Sequence, residues 1–175
     1  MRSNSLKSVT QISLGAALLS VSAWISFGAP VAVTMQTFSL SLLLILLGGK
    51  KGSAITLLYL ALGAIGIPVF SGFRGGIGHI FSESGGFIFG FLLFSLTYLL
   101  VTNFFGDGTL PSSVALVLGA LLLYATGTLW YAARFSGGES LGAIISVAVL
   151  PYVPFDAIKI TLALIVGKRL KKYIK

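Results

Sequence analysis

Long apolar runs, interrupted by short polar or glycine-rich segments, dominate the chain. Five stretches contain no Asp, Glu, Lys or Arg, at residues 8–49, 52–73, 84–106, 108–133 and 140–155. A helix that crosses a bilayer needs about 17 to 25 residues, so the first stretch is long enough for two crossings and the pattern predicts six in total. Transmembrane strands would alternate apolar and polar side chains, which runs such as Leu40–Leu47 do not. The pattern therefore favours an all-α integral membrane protein.

The six predicted spans differ in length and in their internal breaks. The second and third, Phe38–Leu47 and Ser53–Ile67, are short for a bilayer, which implies that non-helical backbone beside them is buried in protein. The sixth, Leu141–Val166, contains Pro151 and Pro154, and we expect these prolines to kink it. The other three are expected at residues 8–27, 87–103 and 112–133. Together they predict one membrane-embedded domain over residues 1–175.

Composition excludes several classes of chemistry. The chain is 56% hydrophobic and only 9% charged, with a mean hydropathy of +1.01, whereas soluble domains carry about 25% charged residues. It contains no cysteine and a single histidine, His79. Thiol chemistry is therefore excluded, and one histidine alone cannot build a metal site. We expect neither a metal nor a cofactor.

The net charge of +8 is interpreted as a sign of membrane orientation rather than of nucleic-acid binding. Nine of the twelve basic residues lie at Arg2, Lys7, Lys50, Lys51 and within residues 168–175, which share one side of the membrane if the chain crosses six times. The positive-inside rule then places both termini in the cytoplasm, at a bacterial plasma membrane. The basic C-terminal tail is expected to contact anionic lipid headgroups.

Asp156 and Lys159 are the only charged residues inside the sixth predicted span. Being three residues apart, they lie on one face of a helix. Each charge costs about 2.5 to 3.5 kcal/mol at the centre of a membrane helix. Such a pair usually marks a substrate or ion site that faces the protein interior, and the alternative is an ion pair that only joins two helices.

Residues 66–86 form a glycine-rich segment that also carries apolar and aromatic side chains, Phe70 and Phe73 among them. An exposed linker would be polar, so we expect a folded lid on the outer face, with a rigid plug as the alternative. The segment contains no phosphate-binding fingerprint. Its His79 is interpreted as a packed or headgroup-level side chain rather than a ligand-binding one.

The first predicted span has small residues at helical spacing, including Ala16, Ala17 and Ser20. Small residues four positions apart allow a second helix to approach closely. We predict that this face binds a partner subunit, and internal packing is the alternative.

A further signal comes from five segments that occur in a fixed order. They are Pro30–Thr37, Tyr59–Phe70, the glycine-rich segment that ends in Ser84-Gly85-Gly86, Tyr124–Trp130 and Pro151–Lys159. In this order they resemble the biotin-specific S components (BioY) of energy-coupling-factor (ECF) vitamin transporters, across nearly the whole chain. One departure is Glu83, because the family usually has Gly-Pro-Thr/Ser-Gly-Gly where this chain has Ser82-Glu83-Ser84-Gly85-Gly86.

The resemblance implies a transport subunit rather than an enzyme, with six helices, both termini inside and a biotin pocket near the outer face. It also implies ATP-driven uptake together with a transmembrane coupling subunit and two ATP-binding cassette ATPase subunits. Biotin would be the transported ligand, not a cofactor. The residues expected to contact it are Gln36, Phe70, Arg74, Gly75, Gly76, Gly85, Asp156 and Lys159.

Other functions are weighed against this one. An S component for another vitamin, such as riboflavin or thiamine, would keep the fold and change the pocket. A proton-coupled secondary transporter would use Asp156 as its proton site, although the two halves of the chain show no evident repeat. An intramembrane enzyme would need a nucleophile and base or a metal set, which the titratable residues do not supply.

Overall fold

The computed structural model describes residues 2–27 and 33–174. Its elements in chain order are α1 Arg2–Trp24, β1 Ser26–Phe27, β2 Val33–Thr34, α2 Gln36–Leu47, α3 Gly49–Ala64, α4 Ile77–Ile80, α5 Gly85–Phe105, α6 Thr109–Phe135, α7 Leu141–Ala148 and α8 Val153–Ile174. Residues 28–32, within the predicted break between the first two spans and including part of the Pro30–Thr37 segment, lie outside the described residues, as do Met1 and Lys175. Helices dominate the described chain, as the apolar runs predict.

A two-stranded ribbon and the short helix α4 are elements that the sequence did not predict. β1 and β2 are antiparallel, with Ser26 opposite Thr34 and Phe27 opposite Val33. The ribbon places the Thr34 backbone at the start of α2, beside the charged residues of α8.

The lengths of the helices explain why six crossings are not all evident from the structure. Ser5–Trp24 of α1, α5 and α6 are each long and apolar enough to span a membrane, and α7 with α8 makes a fourth candidate as a broken pair. By the same measure α2, with 12 residues, and α3, with 16, are too short. The protein is thus a multi-pass membrane protein with three candidate spans in its described residues, or four if the broken pair counts as one. The two predicted spans that are short for a bilayer correspond to α2 and α3, and these are the helices that do not meet the criterion.

The break between α7 and α8 lies where the prolines predict a kink. The two helices meet at an angle of 50°, and the residues between them include Pro151, while Pro154 falls in the first turn of α8. Proline lacks the amide hydrogen that a helix interior needs but is tolerated in the first turn. The prediction of a kink just before Asp156 is confirmed, in the stronger form of two separate helices.

Glycines bring α5 and α6 into close contact. A Cβ added at Gly90 would lie 2.8 Å from the Thr126 hydroxyl oxygen, and one at Gly119 would lie 3.1 Å from the Phe94 ring. Helices in lipid associate through van der Waals packing of this kind, because lipid tails are as apolar as the side chains. The α5–α6 hairpin is therefore one packed unit.

The remaining helices pack around this hairpin in two pairs. α8 packs on α2, α1 packs on α3, and α3 also contacts α5. At its C-terminal end α8 is tied to the α5–α6 turn by an exposed ion pair between Lys171 and Asp107, at 2.6 Å. Residues on the outer faces of these helices, such as Leu18, Leu121 and Leu162, are exposed and apolar, as expected of surfaces that contact lipid.

Candidate functional site

A cavity lies where α8, α2 and α3 meet the α5–α6 hairpin and the loop 65–84 between α3 and α5. The residues of β2 and of the α7–α8 break also line it. Its wall combines charged, hydroxyl, amide and aromatic side chains, represented on the helices by Gln36, Tyr59, Phe87, Tyr124, Asp156 and Lys159. A concave site that combines polar and apolar side chains is typical of small-molecule binding.

The charged pair of α8 forms the most polar part of this cavity. The Lys159 ammonium lies 2.9 Å from the Asp156 Oδ1 atom and 2.7 Å from the carbonyl oxygen of Thr34. The Tyr124 hydroxyl donates to the other carboxylate oxygen of Asp156, at 2.6 Å. Both charged side chains are buried, with 8% of each residue exposed. The i, i+3 pairing expected from the sequence is confirmed. The pair lies on α8 and is also held by hydrogen bonds to β2 and α6.

Gln36 lies at the start of α2 and is held at both ends of its amide. Its Nε2 atom donates to the Tyr59 hydroxyl at 2.9 Å, and its Oε1 atom accepts from the Thr34 hydroxyl at 3.0 Å. The amide is buried, so these bonds satisfy groups that would be costly to bury alone. They fix the orientation of a side chain that lines the cavity.

Aromatic rings form the loop side of the cavity. Phe70 packs edge-on against Tyr59, with ring centroids 5.4 Å apart, and its other neighbour is the His79 ring at 5.5 Å. Phe70 is almost fully buried, at 1% exposed. Edge-to-face contacts at such distances favour a defined ring orientation, so this apolar wall has a fixed shape.

His79 was expected to be a packed side chain, and the structure places it in the lining of the cavity. Burial and, to a smaller extent, the nearby Arg74 guanidinium lower the pKa of His79 below its ordinary value. Its ring Nε2 atom is shielded from solvent and has no hydrogen-bond partner among the described residues. The ring is therefore neutral near pH 7, and its Nε2 atom is buried within the wall of the cavity.

The structure brings four of the predicted contact residues together and leaves four outside the lining. Gln36, Phe70, Asp156 and Lys159 all line the cavity. The Arg74 side chain is exposed, and its backbone carbonyl accepts a hydrogen bond from the Phe70 amide at 2.9 Å. The three predicted glycines, Gly75, Gly76 and Gly85, do not line the cavity either.

Those three glycines shape the loop backbone instead. Gly76 has a φ of +93°, a left-handed conformation that side chains disfavour, and its amide donates to the Gly63 carbonyl at 2.7 Å. A Cβ at Gly75 would collide with the Ile67 carbonyl, and one at Gly85 with the Ile80 carbonyl. Their direct contact with a ligand stays a prediction.

Two tryptophans attach the loop to the helices. The Trp24 indole of α1 donates to the Pro68 carbonyl at 2.9 Å and stacks on Phe73 with centroids 4.9 Å apart. The Trp130 indole of α6 donates to the Ser82 carbonyl at 3.0 Å. The Arg134 guanidinium lies 4.3 Å from the Trp130 ring centroid, a cation–π distance. Both ends of the loop are thus anchored to different helices.

The small residues of α1 do not share a single exposed face. Ala16 and Ser20 are buried, with 1% and 5% of each residue exposed, and Ala17 is exposed. The Ser20 hydroxyl donates to the Ala16 carbonyl at 2.9 Å, and α1 packs on α3. Two of the three predicted partner-binding residues therefore face the interior of this chain, and only Ala17 is open to a partner.

Several residues of the site were not singled out from the sequence. Tyr124 and Tyr59 occur in segments that carry the family resemblance, but nothing in their spacing shows that they bond to Asp156 and Gln36. The Thr34 carbonyl is a backbone group and has no sequence signal at all. Among the described residues, no group of three or more His, Asp or Glu could hold a metal ion. The arrangement suits binding of a small ligand that has a hydrogen-bonding head and an apolar body.

Comparisons with known proteins agree with this geometry. The family model described as the BioY family matches residues 1–175. The probable biotin transporter BioY of Pyrococcus horikoshii is 38% identical over 166 residues, which cover 94% of this chain and 96% of that protein. The biotin transporter BioY of Thermotoga maritima is 38% identical over 159 residues, covering 89% and 90%.

A solved structure extends the agreement to the whole fold. The crystal structure of the S-component for biotin from an ECF-type ABC transporter superposes with a TM-score of 0.84 at 25% sequence identity, covering 98% of this chain and 94% of that one. These relatives are described as transport proteins rather than enzymes, in agreement with the prediction from the sequence. The chain belongs to the BioY family of transporter S components.

Proposed function

We propose that the protein is the biotin-binding S component of an ECF-type transporter and delivers biotin for ATP-driven uptake. One observation carries the proposal beyond family membership. A buried ion pair, Asp156 with Lys159, lies in a cavity whose other walls combine aromatic, aliphatic and uncharged polar side chains. A membrane chain retains buried charges of this kind mainly at functional sites.

The chemistry of biotin matches the groups that the cavity presents. Its ureido ring carries two N–H donors and one carbonyl, its thiophane ring is apolar, and its tail ends in a carboxylate. Asp156 accepts from N–H groups, and Lys159 donates to a carbonyl. Phe70 and Phe87 supply the apolar contacts for the ring system. The site thus offers a partner for each part of the ureido head.

The topology and the partners are part of the same proposal. We infer six crossings with both termini in the cytoplasm, in which α2 and α3 complete a bundle despite their length because they pack inside it. Residues 1–175 then form one membrane-embedded domain. No nucleotide-binding motif occurs in the chain, so two ATP-binding cassette subunits and a transmembrane coupling subunit would supply the energy. Ala17 on α1 and its exposed neighbours are the proposed contact with that coupling subunit.

Equilibrium titration of the purified protein in lipid nanodiscs tests the binding proposal. Biotin should bind in a saturable manner, and riboflavin and thiamine should not compete at comparable concentration. Preferential binding of either of those vitamins would instead identify an S component for that ligand. Biotin uptake that is driven by a proton gradient in vesicles holding this chain alone would favour the secondary-transporter alternative, with Asp156 as the proton site.

A further inference from the structure

The Asp156 carboxylate is bonded at both of its oxygens, and the two donors come from different helices. The Lys159 ammonium lies 2.9 Å from Oδ1 and belongs to α8 itself, whereas the Tyr124 hydroxyl lies 2.6 Å from Oδ2 and belongs to α6. The last torsion of an aspartate side chain has a broad range, so one bond alone leaves the carboxylate free to turn. Bonds at both oxygens fix its plane.

The ion pair keeps hydrogen-bonding capacity after these contacts. A carboxylate has about four lone-pair sites, and Lys159 and Tyr124 occupy one on each oxygen. An ammonium carries three donors, and the Asp156 carboxylate and the Thr34 carbonyl take two of them. The pair thus presents an acceptor beside a donor, which is complementary to an N–H group next to a carbonyl.

The Tyr124 hydroxyl is committed to this carboxylate. A phenol has a single hydrogen to donate, and a separation of 2.6 Å is typical of a hydroxyl that donates to a carboxylate. While it holds Asp156, this hydroxyl has no hydrogen left for a ligand. Tyr124 belongs to the packed α5–α6 hairpin, so it holds the carboxylate from a different unit than the helix that carries it.

We propose that Tyr124 is a positioning residue that sets the orientation of the Asp156 carboxylate and so the preference for ligands with an N–H group beside a carbonyl. The inference rests on the proposed function, in which the ureido head of biotin supplies those two groups. Because the plane of the carboxylate is fixed before binding, the ligand does not have to order it, and this lowers the cost of binding. Tyr124 itself contributes no donor to biotin.

Tyr124→Phe tests the proposal, because it removes the hydroxyl and keeps the ring. Biotin affinity should fall about tenfold, as expected for one lost hydrogen bond to a charged group. Tyr98→Phe is the matched control, since the Tyr98 hydroxyl lies on the same hairpin and is bonded to Ser112 at 3.1 Å but does not line this cavity. It should bind biotin as the wild type does. Wild-type affinity in Tyr124→Phe would overturn the proposal and make the bond a joint between α6 and α8.

A double-mutant cycle separates action through Asp156 from direct contact with the ligand. Asp156→Ala removes the carboxylate, and the addition of Tyr124→Phe should then weaken biotin binding no further. Losses that act through one shared group do not add. Additive losses would overturn the proposal, because the hydroxyl would then act on biotin independently of the carboxylate.

Replacement of the hydroxyl by an amine gives a second test that does not depend on the folding of Asp156→Ala. Tyr124→4-aminophenylalanine keeps an N–H donor at the same position and should recover most of the affinity that Tyr124→Phe loses. An affinity as low as that of Tyr124→Phe would overturn positioning by a donated hydrogen bond. Failure of the wild type to bind biotin would overturn the proposed function and this inference with it, whereas the other contrary outcomes overturn only the inference.

Discussion

The two sides of the cavity hold their functional groups in different ways. On the charged side, formed by α8 with Thr34 and Tyr124, Asp156 and Lys159 pair with each other within α8, and each also bonds to a group from another element. On the loop side, residues 65–84 are positioned by backbone turns and by the indoles of Trp24 and Trp130, and the Nε2 atom of His79 is unpaired. The charged side is preorganised for a polar ligand. The loop side supplies an aromatic wall and contains one ring nitrogen without a hydrogen-bond partner among the described residues.

Glycine explains why the loop side can be compact without regular structure. Gly66, Gly72 and Gly76 all have left-handed φ angles, between +68° and +100°. Phe73 shares this conformation, with a φ of +57°, although a bulky residue rarely adopts it. Its stacking on Trp24 compensates for part of that cost. The loop is therefore held both by hydrogen bonds of its own backbone turns and by contacts to the helices.

The largest effect is expected from breaking the charged side. Asp156→Asn leaves Lys159 without its counter-ion and removes an anionic acceptor, so biotin affinity should fall about tenfold to a hundredfold. Calorimetric titration of the purified variant measures this. Lys171→Met is the control, because it removes the exposed ion pair to Asp107, and such pairs contribute little.

Two results would contradict that prediction. Wild-type affinity in Asp156→Asn would mean that the pair only joins helices, which is the alternative that the sequence left open. An equal loss in Lys171→Met would mean that the effect reports general destabilisation rather than the site.

An intermediate effect is expected from releasing the loop. Trp130→Leu removes the hydrogen bond to Ser82 and the ring that packs on Phe81 at 6.0 Å. Biotin should then dissociate about tenfold faster, with little change in association, because a loosened cover shortens residence time. Stopped-flow chase with unlabelled biotin measures the rate. The neighbouring Leu129→Ala, on the exposed side of α6, should release biotin at the wild-type rate, and an unaltered rate in Trp130→Leu would favour a rigid plug over a lid.

The smallest effect concerns pH and isolates the loop side. In the folded protein the pKa of His79 lies below its ordinary 6.5, so on acidification the unfolded chain takes up a proton before the folded chain does. Stability contributed by neutral His79 is therefore present above the ordinary pKa and is lost as pH falls toward the lowered one. The half-exposed ring limits the size of the effect to about 1–2 °C in melting temperature.

Thermal unfolding of the ligand-free protein at about pH 7.5 and about pH 5.5 checks this sign. The wild type should lose more stability than His79→Gln over that interval. A larger loss in the variant would show that another group controls the response to acid.

The sequence predicted contacts between residues that are close together in the chain and missed contacts between residues that are far apart. The pairing of Asp156 with Lys159 follows from a separation of three residues on one helix, and the kink follows from Pro151 and Pro154. The partners of the pair could not be found in this way, because Tyr124 is 32 residues from Asp156 and Thr34 is 125 residues from Lys159. Contacts over such separations depend on how the helices pack.

Small residues and glycines carried a similar ambiguity. Ala16, Ala17 and Ser20 have the spacing of a helix-packing face, but the spacing is the same for a partner subunit and for α3. In the loop, the glycines marked irregular backbone correctly, yet the lining position of His79 depends on the turn at Gly76 and on the short helix α4. The sequence patterns therefore indicated which segments form the site, whereas tertiary packing determines which of their side chains line it.

The order of residues along the chain also bears on how the protein is made. Helices enter the membrane from the N-terminus onward during synthesis, and a charged residue at the centre of an inserting helix costs about 2.5 to 3.5 kcal/mol. The Thr34 carbonyl and the Tyr124 hydroxyl, which meet Lys159 and Asp156, both precede α8 in the chain. When α8 emerges from the ribosome, its acceptor and donor are already in the bilayer, and its own two charges already face each other. The two buried charges of α8 thus enter the membrane after the groups that bond to them.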